Sequence, residues 1–396
     1  MEAILVSNGP GELYTWVQPL VKVLKKHYPN IRIHICLIPC QFASGKESEI
    51  AKGFGVSSVK SPQDFLAFRM RGEGLLDLHS SQGFVLSLGG NSHMALHIAK
   101  TYRLPCYRYT FSPHWNKGFA GLFVHDEAAR HKALNLGAPQ EKVHGVGNLV
   151  ADAVEAAPQV DDTGEPHVLL MLGSRPQFLP ALLPLYAALV DRLGRLYPQA
   201  RFVAPLSRLI SGEVLEHALS GKGALPDISV PCRREGDSIL TPNGSAIELL
   251  PEEARYSQMR SATIALSIPG TNTLELGIAH LPSIILLPLN QPEVIPLEGI
   301  AHWIGKLPLI GKYIKRWAIL AAVRRGHASL PNRLSGEEIM LEFKKIIVVD
   351  EVVGAAQQLL DDEGARRYRQ ERLAATMPHP GAAQRLLAKV LRDIEG

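Results

Sequence analysis

The sequence predicts an α/β protein of two doubly wound domains facing across a cleft, with a helical C-terminal tail. Three stretches carry that prediction. The first is Leu266–Asn290 together with the apolar run before it, Thr263–Ile268. That run has strand length, breaks at Pro269-Gly270, restarts with Thr271, Asn272 and Thr273, and continues as a short apolar helix over Leu274–His280. A second apolar run, Ser283–Leu289, follows. Strand, glycine turn, helix and strand make a βαβ unit, the building block of a parallel sheet. The second stretch is the opening, where the strand Ala3–Ser7 meets Asn8-Gly9-Pro10-Gly11-Glu12 and a helical pattern runs to about His27. The third is the restart of the same pattern at Val168–Leu172, with the turn Gly173-Ser174-Arg175-Pro176 after it.

Taken in order, the first domain spans 1–157. Its further strands are Ile31–Ile38, Val56–Val59, Phe84–Leu88, Pro105–Tyr109, Leu122–Val124 and Val143–Val146, with a helix over His93–Tyr102. Phe65–Leu76 mixes apolar and basic residues and reads as a surface helix, or else as an edge facing a membrane or an acceptor. Ala157–Pro166 is polar, acidic and proline-containing, as interdomain linkers are. The second domain, 167–349, adds the helix Leu182–Tyr197 and the strands Phe202–Leu206, Ala246–Leu250 and Ile284–Leu287. A helix is expected at Glu337–Lys345, and two charged amphipathic helices over 350–396, crossing between domains or subunits.

The turns hold the candidate chemistry. Glycines let a backbone turn sharply and approach a ligand closely. The opening loop Asn8–Glu12 is not a GxGxxG fingerprint and no Walker motif follows it, so dinucleotide and ATP binding are not supported. Around Pro269, Gly270, Thr271, Asn272 and Thr273, N–H groups at a helix start beside hydroxyls suit a phosphate or another anion, or simply a capped helix. Glu275, one turn in, is placed to accept two ribose hydroxyls. At the opening loop, Gly9 and Gly11 lead into Glu12, which complements the helix dipole or serves as a general base. His93 and His114 each titrate near neutrality, as catalytic or merely structural imidazoles.

The segment 292–327 breaks the α/β pattern. Ile300, Trp303, Ile304 and Leu307 share a face, and Ile310, Tyr313, Ile314, Trp317 and Leu320 continue it. Six lysines and arginines from Lys306 to Arg325 oppose only Glu293 and Glu298. A basic amphipathic segment with tryptophans has the form of an interfacial membrane helix; the competing reading packs it on the core or on a second subunit. The rest of the composition is that of a soluble globular protein, 46% hydrophobic and 20% charged. A net charge of +4 is too weak to argue for nucleic acid. No apolar run reaches the roughly 18 residues that span a bilayer, and Met1–Asn8 reads as a strand, not a signal peptide. The four cysteines lack zinc spacing, no aspartate-x-aspartate motif offers a metal site, and a reducing cytoplasm is expected.

Several of these stretches together resemble lipid-A-disaccharide synthase, a glycosyltransferase of the GT-B fold with two Rossmann-like domains. The matching pieces are Leu169–Arg175, Val203-Ala204-Pro205-Leu206, Ser267–Glu275 and Leu330-Pro331-Asn332. Weaker ones are Phe111-Ser112-Pro113-His114-Trp115 and Val146–Asp152. The opening Ser7–Glu12 is closer to the lipid-A-disaccharide-synthase-related proteins than to the synthase itself. The resemblance implies a UDP-sugar as co-substrate, without a separate cofactor or metal. It places Gly173, Ser174 and Arg175 near the diphosphate and Gly270–Thr273 around it, Glu275 on the ribose and Asn332 by the donor sugar. It also implies a lipid-linked acceptor bound by the first domain, association with the inner face of the inner membrane through 292–327, and a homodimer formed through the C-terminal part. One departure matters. The synthase carries an aspartate after the strand matched by Phe84–Leu88, and Gly89-Gly90-Asn91-Ser92 stands here. An amide or hydroxyl cannot take a proton as a carboxylate does. Glu12 or a histidine, His114, is then the expected base, with Gly9, Gly11 and Asn91 forming the acceptor-side loop. The rival readings are a UDP-sugar 2-epimerase and a catalytically silent nucleotide-sugar-binding protein.

Overall fold

The computed structural model describes every residue except 41–44, 72–73, 161–163, 227, 229, 291–325 and 396. It divides into two compact units, one of residues 1–156 with 378–396, the other of residues 157–377.

The first unit is built on seven parallel strands: β1 (Glu2–Ser7), β2 (Arg32–Leu37), β3 (Ser58–Lys60), β4 (Gly83–Leu88), β5 (Cys106–Thr110), β6 (Gly121–Val124) and β7 (Val143–Gly145). Their spatial order is β3-β2-β1-β4-β5-β6-β7. β1 and β4 are buried along their whole length, the mark of strands covered on both faces. Alternate residues of β1 feed two cores. Ala3 and Leu5 pack with the helices Gln18–His27 and Ala382–Glu395, while Ile4 and Val6 pack with Phe65 and Phe68 of Pro62–Arg71 and Ile98 of Ser92–Tyr102.

The second unit carries β8 (His167–Met171), β9 (Arg201–Leu206), β10 (Arg233–Glu235), β11 (Ser238–Leu240), β12 (Ala246–Pro251), β13 (Ile264–Ser267), β14 (Ser283–Leu286) and β15 (Leu341–Phe343). Their order is β10-β11-β12-β9-β8-β13-β14-β15, parallel except for β10-β11-β12. The hairpin of β10 and β11 turns on Gly236-Asp237, too short a signal to mark strands on its own. The long helix Leu179–Leu196 buries most of its length against one sheet face, with Gly212–Leu219 and Val349–Asp361 beside it.

Each sheet reverses its winding once. In the first unit the chain leaves β1 for β2 on one side and returns to β4 on the other; in the second it leaves β8 for β9 and returns to β13. Ligands of open α/β sheets bind outside the carboxyl ends of the strands at such reversals.

Three expectations need correction. Glu337–Lys345 is not a helix. The helix there is Leu330–Ser335, closed by Gly336 at φ 75°, and Leu341–Phe343 is strand β15 on the sheet edge. The helix after Gly270 begins at Thr271, not Leu274. The tail has three helices, Val349–Asp361, Glu363–Thr376 and Ala382–Glu395, and the third belongs to the first unit. There Asp152 accepts hydrogen bonds from the backbone N–H groups of Gly381 and Ala382 at 2.9 and 3.0 Å, and Arg385 Nε donates to Val146 O at 2.7 Å. The basic amphipathic segment lies outside the described residues apart from its last two, Gly326 and His327. Among the described residues, no helix is long and apolar enough to cross a membrane.

Candidate functional sites at the two winding reversals

At the first reversal, the loops after β1 and β4 meet. Gly89 holds φ at +109°, and a Cβ there would stand 2.8 Å from Asn8 Oδ1 and 3.1 Å from Glu12 Cγ. Only glycine lets these side chains cross the loop so closely. The Glu12 carboxylate folds back over Gly9, whose missing Cβ would lie 2.5 Å from Oε2. Asn8 Nδ2 donates to Cys40 Sγ at 3.3 Å, and its Oδ1 is shielded with no hydrogen-bond partner. Glu12 is thus brought into the β1–β4 reversal beside Gly9. Asn91 is exposed and caps the helix Ser92–Tyr102 by accepting from His93 N at 3.0 Å. Gly11 is exposed, its carbonyl bonded by the Thr15 hydroxyl at 2.8 Å.

After Glu12 the helix widens into a π-helical turn, Leu13–Val17. Such turns are rare and recur at functional sites. This one sets Trp16 against the ends of the neighbouring strands, edge-on to Tyr109 at 5.3 Å and to Phe111 at 5.2 Å between ring centres. His114 lies in the loop after β5, exposed, with Nδ1 3.1 Å from Ser112 Oγ. His93 is exposed on the first turn of its helix. On the helix Pro62–Arg71, Phe65 and Phe68 face the core, while Leu66, Met70, Arg69 and Arg71 face outward, a helix half in and half out.

At the second reversal, the loops after β8 and β13 lie side by side. Gly173, at φ +83°, is packed so closely on Ile268 that a Cβ would come within 2.9 Å of its Cδ1. Ser174, Gly270 and Thr271 are exposed, and Arg175, Pro269 and Asn272 are partly exposed. The helix Thr271–Ile278 starts at Gly270 without a side-chain cap. Thr273, expected to cradle a phosphate, is fully buried; its hydroxyl donates to Gly270 O at 2.8 Å and accepts from Leu330 N at 3.0 Å. Its work is to tie the start of that helix to the start of Leu330–Ser335.

Glu275 is buried and half engaged. Its Oε1 accepts from Tyr256 OH at 2.9 Å and from Arg255 Nη2 at 3.2 Å, while Oε2 has no hydrogen-bond partner. Arg255 in turn lies 4.5 Å over the Tyr256 ring and 3.4 Å from Glu252 Oε1. Burial alone would depress the Arg255 pKa, but the charge of Glu275 and the Tyr256 oxygen outweigh it and hold the guanidinium charged. Burial, then the Glu275 charge, push the Tyr256 phenol up, so it stays a donor. The shielded Oε2 keeps acceptor capacity that no described residue uses. Arg255 and Tyr256 carry no signal in the sequence, since they stand about twenty residues from Glu275 and meet it only in the fold.

Asn332, expected beside a donor sugar, is internal. It is fully buried, donates to Met340 O and Glu342 Oε1 at 2.8 and 2.7 Å, and accepts from the N–H groups of Ile339 and Met340. All four of its hydrogen-bonding positions are used. Glu342 is the other half of this bracket, also accepting from Ala328 N, Ser329 N and Ser329 Oγ at 2.8 to 2.9 Å. Burial would raise its pKa, and these donors hold it below the ordinary carboxylate value.

Two Rossmann-like units, each with glycine loops at its reversal, define the architecture as GT-B. The structure is similar to UDP-GlcNAc 2-epimerase from Neisseria meningitidis, solved with UDP-GlcNAc bound, with TM-score 0.56 and 13% identity over 99% of this chain and 100% of that one. It is also similar to the MnaA–UDP structure from S. aureus, with TM-score 0.50 and 16% identity over 98% and 95%. In sequence the chain is 29% identical over 216 residues to the lipid-A-disaccharide synthase of Alkalilimnicola ehrlichii, covering 54% of this chain and 46% of that protein. It is 25% identical over 228 residues to the synthase of Anaeromyxobacter dehalogenans, covering 57% and 48%. The chain thus spans about half the length of the curated relatives it matches. No protein-family model matches it.

Proposed function

We propose that this protein is an inverting glycosyltransferase of lipid-A-disaccharide synthase type that moves a sugar from a UDP-sugar to a lipid-linked acceptor at a membrane surface, without a metal. The observation that carries the reading is at the second reversal. There an uncapped helix start lies beside the Gly173–Arg175 loop, and Glu275, one turn into that helix, is a buried carboxylate whose shielded Oε2 has no hydrogen-bond partner. A diphosphate fits the helix start, with Arg175 supplying countercharge as UDP leaves. The ribose hydroxyls fit Glu275. The sequence relatives are named as synthases of this kind, and the structural neighbours are solved with UDP or UDP-GlcNAc.

In the proposed step the acceptor hydroxyl oxygen attacks the anomeric carbon and gives its proton to Glu12 Oε2, while the bond to the UDP oxygen breaks. Glu12 takes the place of the family's aspartate because it folds back over Gly9 into the β1–β4 reversal, whereas Asn91 serves as a helix cap. His114, exposed and bonded to Ser112, is the second candidate base.

Calorimetric titration with UDP, UMP and ADP tests the donor site. UDP should bind in preference to ADP, and Glu275→Ala should weaken UDP at least tenfold, a loss of about 1.4 kcal/mol. Equal binding by the variant would remove Glu275 from the site. The structural neighbours favour a second reading, a UDP-sugar 2-epimerase, which needs no acceptor. Epimerised UDP-sugar formed without acceptor would establish it, and UDP binding with neither reaction would leave a silent binding protein. Membrane association rests on the sequence of 292–327. Neutralising Lys312, Lys315 and Arg316 should weaken adsorption to anionic vesicles by about 1 kcal/mol per charge.

A further inference from the structure

We propose that the aromatic shelf of Phe111 and the partly exposed Trp16, backed from beneath by the buried Tyr109 and with Ser112 and His114 beside it, seats the sugar ring of the acceptor. This rests on the transferase reading and names the part of the acceptor that the first unit grips. The shelf lies at the carboxyl ends of β5 and β6, on the rim that begins at the β1–β4 reversal. Phe111 is 41% exposed and stands beside the partly exposed Trp16, so the accessible apolar surface there is aromatic.

It is nonetheless held still. Trp16 meets it edge-on at 5.2 Å, Tyr109 lies at 6.0 Å, and the His125 ring stands 4.5 Å away. Tyr109 is itself locked, its hydroxyl donating to Gly147 O and accepting from Leu149 N, both at 3.2 Å. A rigid, partly bare aromatic face loses little freedom on binding and offers a flat apolar surface. One face of a hexose, with its axial C–H bonds, is the complement.

The edge of the shelf is polar. Ser112 Oγ and His114 Nδ1 lie 3.1 Å apart, both residues exposed, and can trade that mutual bond for ring hydroxyls. A hydrocarbon chain would ask for an apolar lining throughout, so this mixture selects a sugar. Trp16 stands one turn along the π-helical stretch from Glu12, and the shelf therefore adjoins the proposed base.

Saturation-transfer NMR on the full chain, with UDP present to fill the donor site, tests this with methyl N-acetylglucosaminide, methyl glucoside and decanoate. The ring protons of at least one hexoside should receive saturation. Phe111→Ala should weaken that signal's apparent affinity about fivefold, and Phe111→Tyr should restore it. UDP affinity should be the same in all three proteins. Unchanged hexoside binding in Phe111→Ala overturns the proposal, as does the absence of hexoside binding in the wild type. Saturation of decanoate alone, lost in Phe111→Ala, would assign the shelf to a hydrocarbon and also overturn it. Failure of the transferase reading shows separately, as a wild type that does not bind UDP.

Discussion

Glu2 is the first residue of β1 and wholly buried, an unusual position for a carboxylate. Its partners explain it. Oε2 lies 2.7 Å from His34 Nε2, Oε1 accepts from His79 N at 2.9 Å, and His34 Nδ1 lies 2.7 Å from Ser58 Oγ. Burial raises the Glu2 pKa, but these donors and the charge of Arg32 bring it below the ordinary value. Burial lowers that of His34, only partly offset by Glu2, so the ring is neutral at pH 7. Nε2–H then donates to the carboxylate, and Nδ1 accepts from Ser58. Both shifts are downward, so the unfolded chain binds more protons than the folded one as pH falls. The His34 contribution to stability fades as pH drops below about 6.5, and the Glu2 contribution as pH passes below about 4.5 toward its folded value. Glu2→Gln should cost about 1–3 kcal/mol at pH 7 and flatten the loss of stability between pH 5 and 3, read by urea unfolding across pH. A variant whose stability keeps the wild-type slope would show that the cluster does not set it.

At the scale of elements, the glycine loops were legible and the bracket around Asn332 was not. Asn8–Glu12, Gly173–Arg175 and Pro269–Thr273 announce themselves because apolar strands end abruptly on glycines before amphipathic helices, a local pattern that the fold preserves. Glu337–Lys345 misleads because its charges and apolar residues suit a helix. Tertiary bonds prevail there: Asn332 Oδ1 captures the N–H groups of Ile339 and Met340, and Leu341–Phe343 completes the sheet edge beside β14. Thr273 reads as a ligand group from its place at a glycine-led helix start, and Asn332 through the family resemblance; in the fold both side chains are buried and bonded internally. Asn332→Leu should therefore destabilise the second unit by about 3 kcal/mol, leaving two backbone N–H groups and Glu342 short of partners. Chemical denaturation checks this. A variant that unfolds like the wild type yet loses donor affinity would return Asn332 to the ligand.

At the scale of the molecule, the sequence pattern of two strand-and-glycine openings became two sheets, each wound from its opening strand and reversed once. The pattern pointed to a tail crossing between domains or subunits without choosing its seat, because amphipathic helices show that they pack but not on what. Ala382–Glu395 buries Leu386, Leu387, Val390 and Leu391 in the same core as β1 and Gln18–His27. Ending the chain after Met377 should leave the second unit folded and uncover that core. With each buried leucine contributing roughly 1.5–3 kcal/mol, the first unit should lose its cooperative transition while the second keeps its own. A single remaining transition of the truncated chain in differential scanning calorimetry, with a hydrophobic dye bound already below it, would show it; two transitions would overturn it.

That returning helix also sets a timetable for synthesis. The first unit leaves the ribosome early but lacks one of its covering helices until more than two hundred further residues have been translated. At ordinary elongation rates the gap is roughly 10–45 s, longer than a small domain takes to fold. The unit made second is thus the first able to finish. Through that interval the nascent N-terminal half presents the apolar seat of Ala382–Glu395 to the cell, where a chaperone, or the same seat on a neighbouring chain, can find it first.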